Sequence, residues 1–243
     1  MLAIFNKEIT NFFSGASGYI IICLFLIGIG LISWVIPGPF NNFDWGYASL
    51  HLFFEALPWV FSFLIPAVCM RSFSEEQKQG TLEILLTKPI TLYELVLGKY
   101  LGLLCIALVA LLPTLLYLVS LSALAAEDAS IDYGVIFSSY FGVVLLLSCF
   151  TAIGIFASSL TKNQVVAFLL GSGITLILFF GFSGLPAVSL FNSQLYTLEY
   201  FSLSYHYKSI SRGVLDSRSL FVLLSYTILF LALTRFQLQS TLR

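Results

Sequence analysis

The sequence predicts an all-α membrane protein with six transmembrane helices. An N-terminal amphipathic helix precedes them, a short cytoplasmic helix joins spans 2 and 3, and short outer-leaflet helices join spans 5 and 6. Three observations carry this expectation. Of the 243 residues, 59% are hydrophobic and only 9% are charged, against about 25% charged in soluble domains, so too little polar material exists to cover a water-facing surface. The mean hydropathy is +0.98. The apolar residues fall into runs of membrane-spanning length separated by short polar or proline-containing breaks.

Residues 1–13 come first. Leu2, Phe5, Ile9, Phe12 and Phe13 recur at three- and four-residue spacing, while Asn6, Lys7, Thr10 and Asn11 face elsewhere. This suits a helix lying in the membrane interface; a frayed terminus is the alternative. Ser14-Gly15 lets the chain turn into span 1, expected at 18–36 and stopped by Pro37-Gly38-Pro39. The first apolar run is of span rather than signal-core length and no small-residue cleavage site follows, so it is expected to stay as an anchor. Span 2 is expected at 50–70, with Pro58 and Pro66 inside it. Span 3 follows at 98–124 with Pro113 inside, span 4 at 134–157, span 5 at 165–182 and span 6 at 219–234. Residues 183–218 hold a helical stripe of Leu203, Tyr207, Ile210 and Val214, and an aromatic cluster of Tyr196, Tyr200, Phe201, Tyr205 and Tyr207. Aromatics of this kind suit the headgroup layer, so this insert is expected to lie in or dip into the outer leaflet. The whole chain, 1–243, reads as a single membrane domain.

Orientation follows from lysine and arginine. With the N-terminus inside, the inner segments hold Lys7, Arg71, Lys78, Lys88, Lys99, Lys162, Arg235 and Arg243, and the outer ones only Lys208, Arg212 and Arg218. Both termini are therefore expected in the cytoplasm. Glu55, near the outer end of span 2 and roughly 24 Å along a helix from Arg71, is a possible functional carboxylate, although it can also simply reach headgroups or water.

The junction between spans 2 and 3 is the most charged part of the chain. Ser72 and Glu75 have capping-box spacing, Gly80 can end a helix, Thr81 can cap the next, and Pro89 can end that one. Thr91 and Glu94 form a second capping box opening span 3. The expected product is a short transverse helix at 82–88 with an apolar surface of Leu82, Ile84, Leu85 and Leu86. Clamped between two membrane helices, it could dock in a groove of a partner; a plain capped connector fits the same residues.

The string E-x-x-x-G-T-L-E-x-L-L-x-x-P, Glu76 through Pro89, resembles the span 2–3 junction of ABC-2-type transporter permeases. The six-span layout, the amphipathic start and the helical outer insert are similar as well, so the resemblance covers the whole chain. Within the family it is nearest to the GldF group of gliding-motility permeases, with the NosY-like group of copper-maturation systems second. The resemblance implies that 82–88 is a coupling helix set on an ATPase subunit, with Gly80, Thr81, Leu82, Glu83, Leu85, Leu86 and Pro89 at the matching positions. It implies that 1–13 is an elbow helix. It also implies a bacterial inner-membrane permease, exporting a substrate, whose partners are a GldA-like ABC ATPase and a second membrane subunit, identical or GldG-like. ATP and magnesium are then expected on the partner ATPase.

Other classes find less support. No GxxxxGK[ST] phosphate loop and no HExxH zinc motif occurs, and a net charge of −1 gives no footprint for nucleic acid. Cys23, Cys69, Cys105 and Cys149 lie in apolar runs without CxxC spacing and read as small buried residues. Glu75-Glu76 invites comparison with intramembrane CAAX-type proteases, but the pattern E-E-x-x-x-R meets Gly80 where arginine is needed. No catalytic, cofactor-binding or metal-ligating residue is expected in this chain. One alternative role stands beside transport: the spans could carry an ATPase stroke to an extracytoplasmic partner without passing a solute.

Overall fold

A computed structural model of the chain describes residues 1–42, 49–81, 91–125, 131–182 and 200–241, and these residues form helices and turns without strands. The amphipathic start is α1, Leu2–Ser14. The chain turns at Gly15, which is extended, and enters α2, Ala16–Trp34. Helix α3, His51–Cys69, continues almost without a break into α4, Arg71–Gln79, because Met70 between them is itself helical. Span 3 is α5, Leu92–Leu111, a 3-10 turn at Leu112–Leu115 and α6, Leu116–Leu124. Helix α7, Tyr133–Leu160, is followed by α8, Gln164–Leu176, which ends in a π-helical turn at Ile177–Gly181. Helix α9, Leu203–Ser211, then leads to α10, Ser217–Thr241. Six of these stretches are long and apolar enough to cross a membrane.

The spans are unequally enclosed. In span 4 (α7), 72% of the most apolar window is buried, and in span 2 67%, against 22% for span 1 and 28% for spans 5 and 6. Spans 2 and 4 are thus the core, with the others laid around them. Lipid tails are as apolar as leucine, so helices in a bilayer associate through close packing and scattered polar contacts. Both are present. Phe53, Phe54, Phe61 and Phe150 are fully buried. Ser148 and Thr227 join α7 to α10 at 3.0 Å, and the Ser139 hydroxyl donates to Ser211 O at 2.9 Å, joining α7 to α9.

Pro58 and Pro66 each delete one backbone donor, leaving the carbonyl four residues earlier without its helical partner. Neighbouring hydroxyls fill both gaps. Tyr207 Oη donates to Phe54 O at 2.7 Å, and Thr175 Oγ1 lies 3.2 Å from Ser62 O. Pro113 has a different outcome: the chain tightens into the 3-10 turn, and Tyr140 Oη donates to Thr114 O at 2.9 Å. In a solvent without hydrogen-bonding groups, such repairs are what make proline tolerable.

Three expectations need correction. The Ser72–Glu75 capping box does not form: the helix runs through Met70, and the Ser72 hydroxyl has no hydrogen-bond partner. Nothing at that point ends the preceding helix, so there is no start to cap. The expected span 6, 219–234, lies within α10, which runs on to Thr241 and buries Leu238. The stripe on α9 packs inward, with Leu203, Tyr207 and Ile210 buried, whereas Val214 lies beyond Gly213 (φ 91) and is exposed. Of the four cysteines, all free thiols, Cys69 and Cys149 are buried, Cys105 is half-buried, and Cys23 is exposed because span 1 is peripheral. Tyr196, with the rest of 183–199, lies outside the described residues.

Candidate functional site

At the end of the bundle that carries both termini, α1 lies across the start of α5. Two glycines one helical turn apart permit the approach. A Cβ placed on Gly98 would meet Ile4 at 3.0 Å, and one on Gly102 would meet the Cβ of Glu8 at 2.9 Å. The close fit buries Ile4 and, beside it, the carboxylate of Glu8.

A buried carboxylate needs a partner, and Lys99 supplies it. Only 1% of the Lys99 side chain is exposed. Its Nζ donates to Glu8 Oε1 at 2.6 Å and to the Ser72 carbonyl at 2.7 Å, and it lies 3.1 Å from Glu76 Oε2. The ammonium also sits 5.0 Å from the centre of the Phe73 ring, within cation–π range. Glu76 accepts from Lys7 Nζ at 2.8 Å through its other oxygen. Two lysines and two glutamates therefore neutralise one another and link three elements: Lys7 and Glu8 on α1, Glu76 on α4, and Lys99 on α5. Pairs of this kind are strongly destabilised when one member is lost, by about 3–5 kcal/mol, because the other is left buried and uncompensated. The cluster borders a cavity of about 510 Å³ whose wall also includes Arg71, Glu75 and Thr81.

Helix α4 is held from a second side by α7. Ser158 Oγ accepts from the backbone N–H groups of Phe73 and Ser74, at 2.9 and 3.1 Å, and donates to Met70 O at 3.1 Å. The Ser74 hydroxyl donates to Met70 O as well. The hydroxyl of Ser158 thus takes the place of helical hydrogen bonds where α3 passes into α4. Further along, Gln77 Nε2 donates to Ser159 O at 2.9 Å. Gly80 ends α4 in the left-handed conformation (φ 69), its N–H directed to the carbonyls of Gln77 and Glu76. The Thr81 hydroxyl reaches Glu76 O at 3.4 Å. On the far side of the junction, Thr91 and Glu94 make the reciprocal capping box that opens α5. Arg235 of α10 stacks over the Tyr93 ring at 3.8 Å and donates to its hydroxyl, bringing span 6 to the same end. A helix that ends in the charge cluster and a helix that begins there thus emerge as the two roots of the segment 82–90.

A match to the ABC-2 family transporter protein family runs over residues 2–239. The chain belongs to that family. No curated protein matches the sequence. Membership in the ABC-2 family makes the chain a membrane permease subunit of an ABC transporter, a bilayer protein whose partner is an ABC ATPase.

Among the residues singled out from sequence, Gly80 and Thr81 adjoin the charge cluster, while Leu82, Glu83, Leu85, Leu86 and Pro89 lie outside the described residues. On α1, Leu2 is exposed and Phe5, Ile9 and Phe12 are half-buried; the face that enters the bundle carries Ile4 and Glu8 instead. Asn6, Lys7, Thr10 and Asn11 are exposed as expected, while Glu8, assigned to neither face, points inward and Lys7 reaches across to Glu76. Glu55 is at the opposite end of the bundle, its Oε1 3.6 Å from His51 Nε2. Beside it, the Tyr207 phenol is pushed well above its usual pKa range by burial, with the Glu55 carboxylate adding to the shift. This keeps the phenol protonated as the donor to Phe54 O. Glu8 and Lys99 were the functional candidates missed from sequence, and the part of Glu76 in their cluster was not legible there. The legible signal was the Gly98-x-x-x-Gly102 spacing, a mark of close helix approach, with a lysine between the glycines.

The protease comparison loses its geometry. Glu76 is engaged by Lys7 and Lys99. His51 lies roughly 37 Å away along the same helix, at 1.5 Å per residue. His206 is buried between Tyr200 O and Ser219 Oγ, and since its Nε2 faces a carbonyl, the proton is on that nitrogen.

Proposed function

We propose that this permease couples ATP hydrolysis on a separate subunit to substrate export through the segment 82–88, acting as a coupling helix on the ATPase, with α1 as the elbow helix. The observation that carries the reading is the buried Lys99 cluster at the roots of that segment. Closure of the ATPase on ATP and magnesium moves the segment. Helix α4 and the start of α5, tied together through Glu76 and Lys99, move with it, and α1 follows through Glu8. A loop without such ties would absorb the stroke; a charge-locked three-helix unit passes it into spans 2 and 3 as a rigid body. The termini then face the cytoplasm of a bacterial inner membrane. The resemblance to the GldF group supports a role in gliding motility, with a GldA-like ATPase and either an identical or a GldG-like second membrane subunit.

The unbroken length of span 2 favours a second reading, in which the stroke is delivered to an extracytoplasmic partner and no solute passes. His51–Gln79 is one 29-residue span, a rod from the charge cluster to the far end. Transport in reconstituted vesicles separates the two readings.

Docking is tested by Leu85→Glu with Leu86→Glu. The double variant is expected to keep its helical content and lose the ATPase on purification in detergent. Retention of the ATPase with full ATP-driven activity would falsify the docking assignment.

A further inference from the structure

The end of the bundle remote from the termini holds a second charged pocket, of about 280 Å³, just below the usual range for ligand pockets. Its walls come from three elements. His51, Glu55 and Trp59 stand one helical turn apart along the first two turns of α3. Phe180 comes from the π-helical turn after α8. Lys208 stands in the last turn of α9, and Arg212, four residues on, caps the end of that helix. Trp59 is stacked on Phe180 with ring centres 3.7 Å apart, yet remains 47% exposed, so one aromatic face is open. Among the described residues, neither Lys208 nor Arg212 pairs with a carboxylate, although Glu55 borders the same pocket. The π-helical turn that follows α8 places the aromatic floor, and π turns are frequent at functional sites.

We propose that this pocket binds a zwitterionic headgroup, a phosphate ester bearing an ammonium, carried by a membrane lipid. Lys208 and Arg212, neighbours on one helix face, form an anion clamp for the phosphate. Glu55 and the open face of Trp59, also neighbours, form a cation site that combines a carboxylate with an aromatic quadrupole. The carboxylate disfavours a purely anionic ligand and the two cations disfavour a purely cationic one, so a ligand carrying both charges fits best. The volume admits a headgroup and excludes a whole lipid. Glu55 lies about 6 Å below the start of span 2 at 1.5 Å per residue, which is headgroup depth, and Trp59, at about 12 Å, lies just beneath that layer, with the acyl chains left to the bilayer. The inference is independent of ATPase docking at the other end.

The test is native mass spectrometry of the full delipidated chain in detergent, titrated with dioleoyl phosphatidylethanolamine, dioleoyl phosphatidylglycerol or free phosphoethanolamine. The zwitterionic lipid is expected to bind about tenfold more tightly than the anionic one, a difference of roughly 1.4 kcal/mol. Glu55→Gln should abolish that preference, weakening the zwitterionic lipid and strengthening the anionic one. Lys208→Ala with Arg212→Ala should weaken both lipids by about tenfold or more. These side chains are exposed or half-exposed, and circular dichroism checks that each variant keeps its helices. Equal binding of the two lipids by the unaltered chain, or variants that leave the preference intact, overturns the proposal. Phosphoethanolamine binding as tightly as the lipid overturns the assignment to a lipid and makes the occupant a soluble phosphate ester.

Discussion

Lys99 shows what sequence conveys about a single residue in a membrane chain and what it omits. As one of the lysines near a span end it informs orientation, and its place between Gly98 and Gly102 marks a close helix approach without naming its partners. Its partners Glu8 and Glu76 are 91 and 23 positions away, and such pairings arise only when helices are brought together. Lys99→Met is expected to destabilise the protein by about 3–5 kcal/mol, since Glu8 would be left buried without a cation while Glu76 kept only Lys7. Adding Glu8→Gln should restore part of the loss, measurable by thermal unfolding in detergent; no recovery would argue that the lysine acts through packing of its aliphatic stem alone. The hydroxyls over the proline gaps differ in a checkable way. Tyr207→Phe removes the donor to Phe54 O, with an expected cost of about 1 kcal/mol. Thr175→Val should cost less, because Thr175 Oγ1 also approaches carbonyls of its own helix, Gly171 O at 3.0 Å and Ser172 O at 2.9 Å, and its bond to Ser62 is the longer one. A larger loss for Thr175→Val in the same unfolding measurement would contradict the proposed division of labour.

At the level of elements, apolar run length locates spans well, because every spanning helix must satisfy its own backbone. Local end signals also read correctly where the motif is self-contained, as with the Thr91–Glu94 box and the left-handed Gly80. They misled where a neighbour decides the outcome. Ser72 and Glu75 have the spacing of a cap, but Ser158 of α7 supplies the substitute hydrogen bonds and the helix continues. Helix α1 was legible as amphipathic, whereas the face that enters the bundle was not, since it is set by the two glycines of α5. Gly102→Leu is expected to drive α1 off α5 and expose the Glu8–Lys99 pair. Limited proteolysis of residues 1–14 should quicken in this variant while the six spans remain protected. Unchanged cleavage would mean that α1 is held mainly by Lys7 and its own contacts with α2.

For the molecule as a whole, the arrangement is a pair of buried helices, spans 2 and 4, with less enclosed spans around them and charged clusters at both ends. Family membership and the bilayer setting were legible because both depend on the chain's overall pattern. The site was legible only in part: the segment 82–88 has a recognisable string, but the charge lock behind it depends on tertiary contacts. If α1, α4 and the start of α5 move as one body, spin labels at exposed Asn11 and Lys78 should report the same separation with and without ATP in the assembled transporter. A shifted distance distribution would show that the lock opens during the cycle and gates the stroke.

The lock joins two positive and two negative groups, with its central ammonium almost wholly out of water. Mobile ions screen exposed charges over a Debye length that shrinks to about 3 Å at 1 M salt, and they act far less on buried ones. Raising the electrolyte concentration should therefore loosen contacts at the rim and leave this linkage intact. A membrane machine geared through such a joint would keep its transmission ratio through osmotic shock.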